Sequence, residues 1–73
     1  MMNFSDKITT LRKQNAITQK QLSLDLNLSE RNYQRLEAGG TTPTVDTVLK
    51  LCRYYNISAD YLLSLTDEPR PLE

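Results

Sequence analysis

TQKQLSLDLNLSERNYQRLEAG, residues 18–39, reads as two short helices separated by three residues, and its punctuation is unusually clear. Thr18 is a good N-cap, with Gln21 three residues later in the place where a capping box puts its second side chain. The first helix therefore begins near Gln19. It ends at Asn27, one of the few non-glycine residues that tolerate a left-handed backbone. Leu28 then turns inward and Ser29 caps a second helix, Glu30 to Ala38, which Gly39 and Gly40 terminate. A connection this short forces the two helices to cross steeply, as in a helix-turn-helix.

The second helix has a distinct inside and outside. At 100° per residue from Glu30, Tyr33 and Leu36 fall near about 300° and 240°, whereas Gln34, Ala38, Arg31 and Arg35 lie between about 40° and 140°. Tyr33 and Leu36 mark the buried side. The opposite face consists of groups that donate or accept hydrogen bonds in a nucleic-acid groove. A solvated helix face has the same composition, so periodicity alone leaves both readings open.

The order of residues adds a resemblance. A helix opening with Gln, then Leu, a small residue, Leu, a turn, a Ser-capped helix, Glu-x-Gly and Pro is supplied here by Gln19, Leu22, Ser23, Leu26, Asn27, Ser29, Glu37, Gly39 and Pro43. In this the chain resembles the lambda-repressor-like, Cro/Xre-type helix-turn-helix family over roughly residues 4–65. It departs from the pattern at Ser23, where Ala is usual, at Asn27, where Gly is usual, and at Gly40, Thr41 and Thr42, where basic residues are common.

The resemblance implies an all-α, five-helix lambda-repressor-like bundle whose helix-turn-helix is formed by helices 2 and 3. It implies a sequence-specific transcriptional regulator of the repressor type, reading double-stranded DNA as a homodimer on an inverted repeat. Matched position by position, Glu30, Arg31 and Arg35, with Gln34 beside them, are the base-contacting residues. Thr18, Gln19, Ser29, Asn32, Thr41 and Thr42 face the sugar-phosphate backbone. Lys13 and Lys20 are weaker phosphate candidates. Arg12, seven residues before Gln19, is expected to form an ion pair with Glu37. The alternative is an antitoxin or interaction module of the same fold whose partner is a protein.

The rest of the chain fits one small domain. Seventy-three residues suffice for a single core, and a chain this short buries only about 60% of its unfolded surface. Phe4, Ile8 and Leu11 put a first helix at residues 5–15, capped by Asn3 or Ser5. Thr44 caps a fourth helix, Val45 to Tyr55, with Val45, Val48, Leu49, Cys52 and Tyr55 expected on its inner side. Asn56 ends it, Ile57 returns to the core, and Ser58 caps a fifth helix, Ala59 to Leu65. Residues 1–66 are expected to form the domain and 67–73 a flexible C-terminal tail, with no sensor domain. Leu62, Leu63 and Leu65 cannot all face inward on so short a helix, and together with Tyr54 they are the expected dimer interface.

Nine basic and nine acidic residues cancel overall but are not evenly spread. Between Lys7 and Arg35 six basic residues face two acidic ones, and from Gly40 onward three face five. The domain is polarised, with its positive end at the helix-turn-helix. There is no His and one Cys, so neither a Cys-His nucleophile nor a zinc cluster can be assembled. Cys52, on the apolar face, reads as core filling. No enzyme activity, metal, cofactor or small-molecule substrate is expected. Without an 18-residue apolar run or a signal peptide, the chain is expected to be cytoplasmic and not membrane-bound.

Overall fold

The computed structural model describes residues 3–66 and Pro71. Among them are five helices and no strand: α1 Phe4–Gln14, α2 Gln19–Asp25, α3 Glu30–Ala38, α4 Val45–Tyr55 and α5 Ala59–Leu62. Each begins with the same device, an extended residue whose side chain accepts the backbone N–H of the residue three positions on. Asn3 accepts from Asp6, Thr18 from Gln21, Ser29 from Asn32, Thr44 from Thr47 and Ser58 from Tyr61, at 2.8–3.2 Å. The expected return bond from Gln21 to its cap is replaced. Its amide instead donates forward to Asp25 Oδ1 at 2.9 Å.

The helix ends are equally uniform. Ala16, Asn27, Gly39, Asn56 and Ser64 all have φ between 53° and 78°, and the residue after each donates back to a carbonyl five positions earlier, as Leu28 does to Ser23 and Gly40 to Arg35. This left-handed closure satisfies carbonyls that the helix leaves without partners.

Ile8, Leu22, Leu26, Tyr33, Leu36, Val48, Leu51, Cys52, Ile57 and Leu62 make one core to which every helix contributes. α3 packs on α1 and α2, α4 packs on α5, and α1 also touches α5. The outcome for α3 is that its inner side is Tyr33 and Leu36, as periodicity required.

Two expectations in the second half need correction. The inner side of α4 is Thr47, Val48, Leu51 and Cys52, with Tyr55 half-buried, while Val45 and Leu49 are exposed. The true arc is rotated by more than half a residue step, because Thr47 can be buried: its hydroxyl lies 3.0 Å from that of Thr44, so no polar group is stranded. α5 is a single turn ending at Leu62, with Leu63 as its cap. Leu62 is fully buried in the chain's own core and is therefore unavailable as an interface residue. The expected tail, residues 67–73, lies outside the described residues except for Pro71.

Candidate nucleic-acid interface

α3 owes its orientation to what lies behind it. Tyr33 is wholly covered and Leu36 is 5% exposed, and next to them Glu37 is the centre of a polar cluster joining three helices. Arg12 Nε on α1 donates to Glu37 Oε2 at 2.6 Å, and Arg12 Nη2 to Oε1 at 3.1 Å. Gln19 Nε2, at the start of α2, donates to the same Oε1 at 3.0 Å. The remaining guanidinium nitrogen donates to the Ile17 carbonyl at 2.9 Å, tying down the α1–α2 connection. The pair's side chains are only 13% and 7% exposed, which makes this a bidentate, largely desolvated bridge.

The electrostatics follow from that enclosure. Burial pushes the Glu37 carboxyl upward, but the bonds from Arg12 and Gln19 and the charge of Arg12 outweigh it and hold Glu37 below the ordinary carboxylate range. Arg12 is raised, first by its bond to Glu37. Burial, reinforced by Glu37, puts Tyr33 far above the usual phenol value, and burial pushes Tyr55 up to about 12. Every partner of the cluster is thereby fixed in one protonation state around neutral pH.

In front of this backing, Glu30, Arg31, Asn32, Gln34, Arg35 and Ala38 are all exposed. Among the described residues neither Arg31 nor Arg35 forms an ion pair, whereas Glu30 Oε2 accepts weakly from Gln34 Nε2 at 3.5 Å. Thr41 and Thr42 lie along an open groove of about 400 Å³ beside α3, shared with Asn32 and Arg35 and floored by Leu28, Leu36 and Pro43. Thr18 and Ser29 are exposed, and although their oxygens serve as caps their hydroxyl protons stay available to an external acceptor. Gln19 differs from the other backbone-facing candidates. It is half-buried, and one amide hydrogen is committed to Glu37.

The positive end is smaller than the sequence suggests. Arg12 is bound to Glu37, and Lys7 is 7% exposed, its Nζ lying 3.8 Å from the centre of the Tyr61 ring. Lys13, Lys20, Arg31 and Arg35 are the basic residues of that region that face solvent. Two interactions escaped sequence reasoning for different reasons. Lys7, over the Tyr61 ring, lies about 40° beyond Leu11 at the edge of α1's apolar arc, so a helical wheel carries a signal that it is drawn inward, whereas the Arg12–Glu37 pair is the one the resemblance implied. The bond from Tyr54 to Asp25 Oδ2, 2.9 Å long between α4 and the end of α2, has no local signal, since 29 positions separate the partners.

Among the described residues, no group of His, Cys, Asp or Glu is arranged to hold a metal ion, and no helix is long and apolar enough to cross a membrane. Cys52 is buried, and burial pushes its thiol up, away from the nucleophilic thiolate.

Comparison with known proteins agrees with this geometry. The chain is similar to the HTH-type transcriptional regulator YobD of Bacillus subtilis, an uncharacterised protein, with 34% identity over 68 residues, 93% of this chain and 61% of that one. It is 36% identical over 62 residues to ImmR, an HTH-type transcriptional regulator of the same organism, covering 85% of this chain and 49% of ImmR. It is 30% identical over 61 residues to RstR, the cryptic phage CTXphi transcriptional repressor of Vibrio cholerae, covering 84% and 55%. The chain thus spans only about half to three-fifths of the length of these relatives. A crystal structure of a transcriptional regulator from Listeria innocua has the same fold, with a TM-score of 0.82 over 90% of this chain and 62% of that one at 24% identity. A helix-turn-helix family model matches residues 8–62, most of the chain, from within α1 to the end of α5. The chain belongs to the Cro/Xre-type helix-turn-helix family of DNA-binding transcriptional regulators.

Proposed function

We propose that this chain is a sequence-specific repressor that lays α3 in the major groove of an operator and binds as a homodimer to an inverted repeat. The observation that carries the reading is the pair of guanidinium groups on Arg31 and Arg35, exposed one turn apart on a helix whose back is fixed by Tyr33, Leu36 and the Glu37 cluster. A planar guanidinium donates two parallel hydrogen bonds to guanine O6 and N7. Gln34 suits the N6/N7 edge of adenine, and Glu30 accepts from a cytosine amine while repelling phosphate, which favours selectivity over affinity. Thr18, Ser29, Asn32, Thr41 and Thr42 donate to phosphate or sugar oxygens and set the register, with Gln19 contributing through the part of its amide not bound to Glu37.

Dimerisation follows from size. With extents of 29 × 23 × 22 Å, one domain covers one half-site, and two are needed for half-sites about 34 Å apart. Tyr54, Leu63 and Leu65, of the expected interface, are exposed. Repression is favoured by the similarity to RstR, and cytoplasmic location follows from the substrate.

In vitro selection from random duplexes tests the reading, followed by titration of the enriched duplex at rising salt. Tight binding that weakens steeply with salt, with a two-fold symmetric consensus, is expected. Wild-type protein that enriches no duplex at any salt concentration overturns it. The withdrawal of Lys7 and Arg12 from the positive end favours one second reading, an antitoxin or interaction module of this fold. A tight protein partner together with failed enrichment is its signature.

A further inference from the structure

α4 carries a second apolar edge that the core leaves uncovered. At about 100° per residue its covered arc ends at Cys52, and Val45 and Leu49 are the next positions around the cylinder, about 40° apart. Val45 is 76% and Leu49 41% exposed. One turn apart, they form a continuous apolar strip. On the flank of that strip away from the core stand Asp46 toward the start of the helix and Arg53 toward its end, both exposed.

This arrangement is self-complementary. When two copies of α4 lie antiparallel about a two-fold axis beside Leu49, the strips face each other and position 46 of each copy comes next to position 53 of the other. Acid meets base at both ends, and the opposed helix dipoles add to the attraction. Within its own helix Asp46 is paired with Lys50, yet it stays open to solvent. Its contact to Lys50 Nζ is 3.4 Å long and its side chain is 78% exposed. Asp46 also lines the groove that holds Asn32, Arg35, Thr41 and Thr42, so this edge borders the DNA-reading side, while Glu30, Arg31 and Gln34 lie outside that groove.

We infer that the Val45–Leu49 edge of α4, flanked by Asp46 and Arg53, is the surface through which two copies of this chain pair. The inference rests on the dimeric reading above and specifies its surface, in place of the Leu63 and Leu65 end of α5.

Charge exchange tests it. Asp46→Arg alone and Arg53→Asp alone each put like charges face to face at both ends, and each is expected to weaken self-association by about tenfold or more. Mixed in equal amounts, the two variants regain attraction at both ends, so sedimentation velocity should show the dimer return as a heterodimer. Leu49→Lys, at an exposed position, should sediment as a monomer, with melting unchanged from wild type at concentrations too dilute for association and unchanged affinity for a single half-site duplex. A mixture no more dimeric than its separate components, or a Leu49→Lys chain as dimeric as wild type, overturns the assignment. So does a dimer lost in Leu63→Lys but kept in Leu49→Lys. Wild type that stays monomeric at every concentration overturns both this surface and the dimeric reading, while half-site binding in the same samples reports separately on the DNA-reading face.

Discussion

Where α1, α2 and α3 meet, a carboxylate is the organising group; where α4 and α5 meet, it is hydrocarbon. Glu37 gathers donors from Arg12 and Gln19 in fixed directions, so the angle of α3 is set by hydrogen-bond geometry as well as by packing. Leu51, Cys52, Ile57 and Leu62 on the other side supply burial without direction, and the one charged group drawn in there, Lys7, rests on the face of Tyr61. A helix that must meet a groove in one orientation benefits from directional contacts. A buttress needs chiefly to be apolar and the right size.

Removing hydrocarbon should not distinguish the halves. Leu36→Ala and Leu51→Ala each delete a covered side chain, and each is expected to cost about 2–5 kcal/mol in denaturant unfolding. Unchanged stability in Leu36→Ala would mean that α3 is rotated from the orientation described. Removing the charged partner should distinguish them. Glu37→Ala leaves Arg12 nearly enclosed without its carboxylate and is expected to cost roughly 3 kcal/mol, the low end for a broken buried pair. Lys7→Met, its counterpart in the other half, loses a cation–π contact but keeps the apolar stem, and about 1 kcal/mol or less is expected.

The front of α3 should behave in the opposite way to its back. Arg31→Ala and Arg35→Ala are each expected to cost about 1–3 kcal/mol of binding to a selected duplex and to relax the preferred base. Their melting should match wild type within about 0.5 kcal/mol, since both residues are exposed. A large stability loss in either would show that its side chain belongs to the fold.

The carboxylate also makes the first half sensitive to acid. Glu37 is held below its ordinary value when folded, so the stability it contributes is complete above about pH 4.3 and is lost as pH falls through the lowered folded value. Glu37→Gln should flatten that part of the stability profile, and an unchanged acid slope would mean that other carboxylates dominate it. At the alkaline end the sign reverses. Tyr55, pushed up to about 12, and Tyr33 above it favour the protonated phenol in the folded state, so stability should fall as pH rises past about 10.

What could be read from sequence followed the same division. The limits of α2, α3 and α4 and their caps were legible because Thr18, Ser29, Thr44, Asn27, Gly39 and Asn56 act within four or five residues of themselves. The inner side of α3 was legible because Tyr33 and Leu36 are its sole large apolar residues. α4 was misread because apolar residues nearly encircle it, and which of them is covered depends on where α5 comes to rest. Ser64 closing a helix with a left-handed backbone was equally hidden, since serine is no usual signal for it.

The phase of α4 admits the finest test. Val45 and Val48 are three residues apart on one helix, and the same substitution to Thr changes each by one methyl-for-hydroxyl exchange. At Val45, 76% exposed, the hydroxyl stays in water, and a change within about 0.5 kcal/mol is expected. At Val48, 9% exposed, the hydroxyl enters the core with the carbonyl of Thr44, one turn back, as its nearest acceptor. That bond offsets part of the desolvation, so the loss should be about 1 kcal/mol, short of the cost of a stranded hydroxyl. Measured on protein dilute enough to exclude association, equal losses at the two positions would place Val45 in the core and return α4 to the orientation its sequence first suggests.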